Sequence, residues 1–212
     1  MHFKIIFVKY VSTRYNIGNM DNTKIASLIE RIGNLLRSGE RASGSDSGLQ
    51  TVHVQILGYL SQCNRYSNTP IGVTEFVGST KGTTSQSINI LEKKGFINKS
   101  PDEEDGRVIH LKLTDKGEHF VKDEFPPREF KAALDGLNSN DTERLSQLLT
   151  KLLIQLQRKN NGKLFGVCHT CKHFNKFGSG DKHQCGLTLE PLSEKESYQI
   201  CREHEQPTKK AV

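Results

Sequence analysis

Between Pro70 and Gly117 the chain carries dense structural punctuation, and the order of those signals leaves few folds open. Pro70 and Gly72 break what precedes them, and Val73–Val77 reads as a short helix. Gly78-Ser79-Thr80 reads as a turn, and Thr83–Lys94 as a second helix with Thr84, Ile88 and Leu91 on its inner side. Gly95 is placed to cap that helix, because only glycine enters the left-handed conformation cheaply. Phe96–Lys99 reads as a strand, Pro101–Arg107 as a charged turn, and Val108–Leu113 as the returning arm of a hairpin. Thr114-Asp115-Lys116-Gly117 then opens another helix.

Long apolar stripes flank this block. Ile25, Leu28, Ile29, Ile32, Leu35 and Leu36 lie on one face of a helix that Gly39 and the Ser43–Gly48 stretch are expected to end. Leu49, Val52, Ile56, Leu57 and Leu60 mark another helix, running to about Cys63. On the far side, Asn140 with Glu143 forms a capping-box pattern before Leu145, Leu148, Leu149, Leu152, Leu153 and Leu156, and Gly162 is expected to close that helix. The leucines could cover the domain's own core, but the two stripes offer more apolar face than a small domain hides. Pairing with a second copy of the chain is the better solution. There are no internal repeats.

Helix, short glycine-containing turn, helix and charged hairpin is the order of a winged helix-turn-helix. The expected fold class is therefore mainly α (α+β): a winged helix-turn-helix domain with long flanking dimerisation helices over residues 20–161, plus a small cysteine-rich metal-binding module over 162–212. The second helix of such a unit enters a DNA major groove about 12 Å wide, and the hairpin tip approaches neighbouring phosphates or the minor groove. Thr83, Ser85, Gln86 and Asn89 fall on its outer side as hydroxyls and amides suited to phosphates and base edges, with Lys81 at the end nearest a phosphate.

Composition sets the outer bounds. The 212 residues are 34% hydrophobic and 25% charged, enough for a core with some poorly packed segments. The longest apolar runs, such as Ile5-Ile6-Phe7-Val8, fall far short of the roughly 18 residues a membrane helix needs, and no signal-peptide pattern precedes them. A cytoplasmic protein is expected. Residues 1–19 precede Met20, where the clean helical pattern begins; they read as an upstream extension, with an ordered N-terminal arm as the alternative. The net charge of +6 is mild: 22 basic and 18 acidic residues up to Asn161, then 8 and 6. A polyanionic partner would have to be met by a shaped surface rather than by a basic tail.

The run Val73-Thr74-Glu75-Phe76-Val77, Ser85, Leu91-Glu92-Lys93-Lys94-Gly95-Phe96-Ile97, Asp105-Gly106-Arg107 and Leu113-Thr114-Asp115-Lys116-Gly117 resembles the MarR-type transcriptional regulators, over about Asp21 to Lys159. The resemblance implies an obligate homodimer joined through its terminal helices, bound to a palindromic operator on double-stranded DNA. It further implies that Asp105 pairs with Arg107 and that Arg107 reaches the minor groove, a narrow electronegative site that suits a guanidinium. The competing reading is a solvated charge pair worth about 0–1 kcal/mol. Gln86 stands where the family often has arginine, and the tip Asp102-Glu103-Glu104-Asp105 is unusually acidic. Effectors of such dimers bind between domains and leave no local motif, so a small-molecule or redox effector stays open.

The remaining signal is Cys168-x2-Cys171-x13-Cys185-x15-Cys201. In a reducing compartment a clustered quartet points to metal ligands rather than disulfides. Four thiolates with no open position suit a structural zinc ion; an iron–sulfur cluster is the alternative, and a metal-free thiol/disulfide switch the third reading. Phe165, Phe174, Phe177, Leu187 and Leu189 are too few for an independent core, so a staple is expected. His169, His173, His183 and His204 could replace one cysteine, and Phe174 and Phe177 are expected to cover the site. Cys63 reads as a buried small hydrophobe.

A DNA-binding regulator, not an enzyme, is the expected function. A thiol oxidoreductase using Cys168 and Cys171 lacks the surrounding strand-helix-strand pattern. A protein-interaction module with a vestigial winged helix is the other class.

Overall fold

The structure, a computed structural model, describes residues 22–159, 163–177 and 183–207. The expected extension 1–19, the helix stop at Gly162, and Gly178 and Gly180 of the cysteine segment lie outside the described residues. The chain divides into two compact units, one ending at Ser38 and one beginning at Gly39. No described helix is long and apolar enough to cross a membrane.

The first helix, α1 (Asn22–Ser45), leaves Ile25, Leu28, Ile29, Ile32 and Leu35 exposed within the first unit. It does not end at Gly39 but continues to Ser45, where Gly48 turns the chain. The two glycines after Ser38 serve close approach: a Cβ on Gly39 would sit 2.6 Å from the Pro127 ring, and one on Gly44 would sit 2.5 Å from the Leu49 carbonyl.

The second unit begins its core with α2 (Thr51–Gln62), where Val54, Ile56, Leu57 and Tyr59 are almost fully buried. Then come α3 (Pro70–Val77) and α4 (Lys81–Lys93), joined by the turn at Gly78. Pro70 starts α3 rather than breaking the chain: its fixed φ and missing N–H suit the first helical position, and the Thr69 side chain accepts from the Gly72 amide. Thr80 caps α4 by accepting from the Thr83 amide, so that helix begins two residues before the expected Thr83. Thr84, Ser87, Ile88 and Leu91 face inward, and Gly95 leaves the helix at φ +73°.

The wing is β1 (Ile97–Pro101) antiparallel to β2 (Ile109–Leu113), with Ile97 opposite Leu113 and Pro101 opposite Ile109. Thr114 caps α5 (Asp115–Glu124), which is followed by α6 (Arg128–Asp135) and α7 (Ser139–Lys159). The amide of Asp141 is accepted by Asn138, so the capping residue of α7 is Asn138 and not the expected Asn140. Along α7 no residue is buried, and Leu145, Leu148, Leu149, Leu152, Leu153 and Leu156 form an exposed apolar ridge.

The cysteine segment contributes β3 (Gly166–Val167), a 3-10 turn (Cys168–Thr170), β4 (Phe174–Lys176), β5 (His183–Cys185), β6 (Pro191–Leu192), α8 (Glu194–Ser197) and β7 (Ile200–Cys201). Strands β4, β5 and β6 form one small antiparallel sheet, and β3 pairs with β7. Phe165 and Ile200 pack against the winged-helix core. Leu192 is buried within the segment, whereas Leu187, Leu189 and Phe177 are exposed.

Gly72 is where α3 meets the loop before it. A Cβ there would lie 2.3 Å from the Ser67 carbonyl and 2.9 Å from the Tyr59 hydroxyl. Gly72→Ala is expected to cost about 1–3 kcal/mol of stability, because backbone has to move; urea unfolding monitored by circular dichroism measures it.

Candidate nucleic-acid interface and four-cysteine site

The outer side of α4 is bare. Lys81, Thr83, Ser85, Gln86 and Asn89 are all exposed, as the helical spacing requires once Thr84, Ile88 and Leu91 turn inward. Among the described residues Lys81, Ser85 and Gln86 have no side-chain partner. Thr83 is engaged with the capping Thr80 hydroxyl at 2.9 Å, and Asn89 accepts from Lys99 Nζ at 2.7 Å. The outer face therefore presents three unengaged polar side chains, with Lys99 joining it from β1 through its contacts to Asn89 and Glu92.

At the wing, Arg107 makes a two-pronged contact with Asp105: Nε donates to Oδ1 and Nη2 to Oδ2, each at 2.8 Å. The Arg107 side chain is 91% exposed, so it projects to solvent while its direction is held. Asp102 turns the tip: its Oδ1 accepts from the amides of Glu104 and Asp105, both at 2.9 Å, and its Oδ2 contacts His110 Nε2 at 2.9 Å. The amide of Asp105, then the His110 contact and the amide of Glu104, hold the Asp102 carboxyl down to about 2. His110 Nδ1 lies 2.6 Å from Asn68 Oδ1, and the Leu111 amide donates to the Asn68 carbonyl. Neither Asn68 nor His110 carries a sequence signal for this role, since the two are brought together only by the fold.

The loop from Asn64 to Thr69, between α2 and α3, also receives the cysteine segment. Asn64 is buried, and its Nδ2 donates to Cys168 Sγ at 3.3 Å. Its amide donates to the Ile200 carbonyl, and Cys63 and Ile200 form a parallel bridge. Ser67 Oγ donates to Asn64 Oδ1 at 2.6 Å and accepts from the Arg202 amide at 2.9 Å. Arg202 clasps Glu75 of α3 through two N–H···O contacts of 2.6 and 2.9 Å, which lower the Glu75 carboxyl. Arg65 reaches Glu190, Glu196 and the Pro191 carbonyl. Phe165 stacks edge-on against Tyr59 and Phe76.

Cys168, Cys171, Cys185 and Cys201 all line one small pocket with Asn64, Phe174 and Leu192. Among the described residues, no group of three or more His, Cys, Asp or Glu side chains is placed so that it could hold a metal ion. The neighbouring Cys168 holds Cys201 below an ordinary thiol against the opposing effect of burial, while Cys168 itself is pushed up. The Glu205 amide donates to Cys171 Sγ at 3.4 Å.

Of the four histidines, only His173 lines that pocket. His169 contacts the Ser197 carbonyl, His183 contacts Glu194 at 2.6 Å, and His204 contacts Thr170. Phe174 covers the pocket, but Phe177 is 56% exposed and does not. Cys63 is a buried member of the main core, and burial pushes its thiol up to about 12.

The model of the MarR family matches residues 60–109, from the end of α2 to the first residue of β2. Over that stretch the winged-helix region is similar to MarR-family domains. Its curated relatives include the transcriptional repressor MprA of Escherichia coli K12, 28% identical over 111 residues, or 51% of this chain and 62% of that protein. The chain thus spans less than two thirds of that relative. FabT of Streptococcus pneumoniae, solved in complex with DNA, superposes with a TM-score of 0.51 at 26% identity, covering 65% of this chain and 99% of that one. CouR of Rhodococcus jostii RHA1, solved with p-coumaroyl-CoA, shares the fold at TM-score 0.52 and 16% identity, over 60% of this chain and 90% of its own. The MarR-family match stops well short of the cysteines.

The capping contact at the start of α4 holds that helix's outer face in register. Thr80→Ala is expected to lower stability by about 1 kcal/mol through loss of the bond to the Thr83 amide, read from the shift of the urea midpoint at unchanged slope.

Proposed function

We propose that this chain is a sequence-specific DNA-binding transcriptional regulator, a repressor, that acts as a homodimer on a palindromic operator. The observation that carries the reading is the bare outer face of α4, with Lys81, Ser85 and Gln86 unengaged, beside a wing that presents Arg107 on a fixed Asp105. In this reading α4 lies in the major groove, where Gln86 and Asn89 meet base edges, Lys81, Thr83 and Ser85 meet phosphates, and Arg107 enters the minor groove. The E. coli relative's name as a repressor and the DNA-bound S. pneumoniae neighbour support it.

The dimer is supported by the uncovered leucine ridge of α7, a contiguous apolar surface of the kind that marks an interface. An open groove lined by Ser43, Phe96, His119, Phe120 and Arg128 could take a small effector. The cysteine segment is proposed to hold zinc on Cys168, Cys171, Cys185 and Cys201, with an iron–sulfur cluster on the same four thiolates as the alternative. Their common pocket supports this, as does an apolar content too thin to order the segment unaided. The placement of Cys168 and Cys201 in one pocket favours one further reading, a metal-free switch in which an external two-electron oxidant such as a peroxide takes the two thiol protons and electrons and leaves a disulfide between them.

Selection from a random duplex pool provides an operator. Binding to it should fall by roughly 10³–10⁵ between about 50 and 200 mM salt if the dimer makes about 6–10 phosphate contacts. Arg107→Ala should weaken binding to all sequences, whereas Gln86→Ala should cost about 1–3 kcal/mol and relax preference at its base pair. Salt-insensitive binding, or equal losses on selected and random duplex in both variants, overturns the docking. Protein purified without oxygen should carry about one zinc per chain and be colourless; broad visible absorption with iron and sulfide instead identifies a cluster.

A further inference from the structure

The four-cysteine pocket and the wing tip are joined through the loop between α2 and α3 by two sets of hydrogen bonds that the Ser67–Asn68 peptide link connects. The first set starts at Cys168 Sγ, which accepts from Asn64 Nδ2; Ser67 Oγ donates to Asn64 Oδ1 and accepts from the Arg202 amide next to Cys201. One residue beyond Ser67, Asn68 contacts the wing twice: its Oδ1 meets His110 Nδ1, and its carbonyl accepts the Leu111 amide. His110 in turn contacts Asp102, whose other oxygen accepts the Asp105 amide, and Asp105 holds Arg107.

The two ends of this connection differ in what can change. The cysteine segment has few buried apolar residues of its own, so anything its thiolates hold would add a large share of its stability. The loop is buried at Asn64 and Ser67; without the segment Asn64 Nδ2 loses Cys168, and the Ser67 hydroxyl loses the Arg202 amide and keeps only its bond to Asn64 Oδ1. A buried polar group left without its partner is costly enough to make the loop rearrange. Arg202 on Glu75 ties the seated segment to α3, the first helix of the helix-turn-helix, and Arg65 on Glu190 and Glu196 ties it to the loop before that helix.

We infer that the four-cysteine pocket is a sensor site that takes a thiophilic metal centre, and that its occupancy sets DNA affinity through Asn64, Ser67, Asn68 and His110 by fixing the wing that carries Arg107. This rests on the metal and DNA readings proposed above and adds a route and a direction: the loaded chain binds its operator more tightly, because the seated segment preorganises the wing. Asn68 and His110 are positioning residues that touch neither metal nor DNA. The metal centre is either a zinc ion or an iron–sulfur cluster, and both require the same four thiolates.

The test measures affinity of the full-length chain for the selected duplex before and after stripping with a chelator. Elemental analysis and visible absorption follow the metal and separate zinc from a cluster. Loaded wild type is expected to bind about 5–150-fold more tightly than the stripped form, the usual span of coupling between sites. Asn68→Ala and His110→Ala should keep their full metal content while the ratio of loaded to stripped affinity drops below about twofold. Equal affinities for loaded and stripped wild type overturn the coupling and leave both underlying readings standing. A full ratio retained in Asn68→Ala overturns the route. Protein free of metal after anaerobic purification removes the cysteine reading itself, and loaded protein that binds no duplex removes the regulator reading.

If the stripped chain unfolds, hydrogen exchange on loaded protein decides instead. The amides of Glu104 and Asp105 should exchange about tenfold faster in Asn68→Ala than in wild type. Unchanged exchange at those two amides overturns the inference.

Discussion

The burial of Asn64 is the constraint on which the rest of the second unit turns. A side-chain amide sealed from water costs about 1–3 kcal/mol when unpaired, so it has to find partners or move. Here the partners come from both directions along the chain: Ser67 from the loop itself, Cys168 from a segment more than a hundred residues later. The same loop hands its Asn68 carbonyl to β2 and its Ser67 carbonyl to the Tyr59 hydroxyl. The helix-turn-helix therefore has two supports, the apolar core around Leu57, Leu91 and Phe96, and a polar loop that the cysteine segment completes.

That arrangement also changes how the acidic wing tip is understood. Four carboxylates in a row look unsuited to meeting phosphates. Two of them are committed inward: Asp102 accepts two backbone amides and contacts His110, and Asp105 orients Arg107. Ionised carboxylates are the strongest acceptors available for closing a tight turn, which is why the tip can need them. Only Glu103 and Glu104 remain as charges fully turned to solvent, and at physiological salt their reach is limited to about a Debye length. Arg107 pays little for its partner, since an exposed pair of this kind is worth at most about 1 kcal/mol and can open toward a groove.

Much of the winged helix was legible because its signals are local. Apolar spacing placed Thr84, Ile88 and Leu91 inward and the outer face of α4 outward; Gly95 and Thr114 marked boundaries that the backbone confirms. The misreadings have one physical source, which is that a residue's local preference yields to packing. Gly39 reads as a stop, but Pro127 fills the space its missing side chain leaves. Pro70 reads as a break, but it opens α3. Asn138, not Asn140, supplies the cap because the helix begins at Ser139. Of the apolar residues that the cysteine segment offers too few of for a core, Phe165 packs on the winged helix while Phe177, Leu187 and Leu189 stay exposed; Leu192 and Ile200, which stood out in no pattern, are covered instead. Asn64, Ser67, Asn68 and His110 gave no signal at all. A polar residue bonded across the fold has no period and no spacing to betray it.

The placement of the cysteine segment has a thermodynamic consequence. A ligand shifts an equilibrium only by the difference in its interaction with the two states. A metal held wholly inside a free appendage would have equal contact with both arrangements of the winged helix, and so could move neither. Here Asn64 of the helix-turn-helix loop donates directly to a cysteine sulfur, and Ser67 meets the amide beside another. Contacts to a sulfur depend on whether it is a thiol or a metal-bound thiolate, because a thiolate is the stronger acceptor. Whatever changes the charge on those sulfurs thereby acts on the loop through the one side chain that cannot stay unpaired.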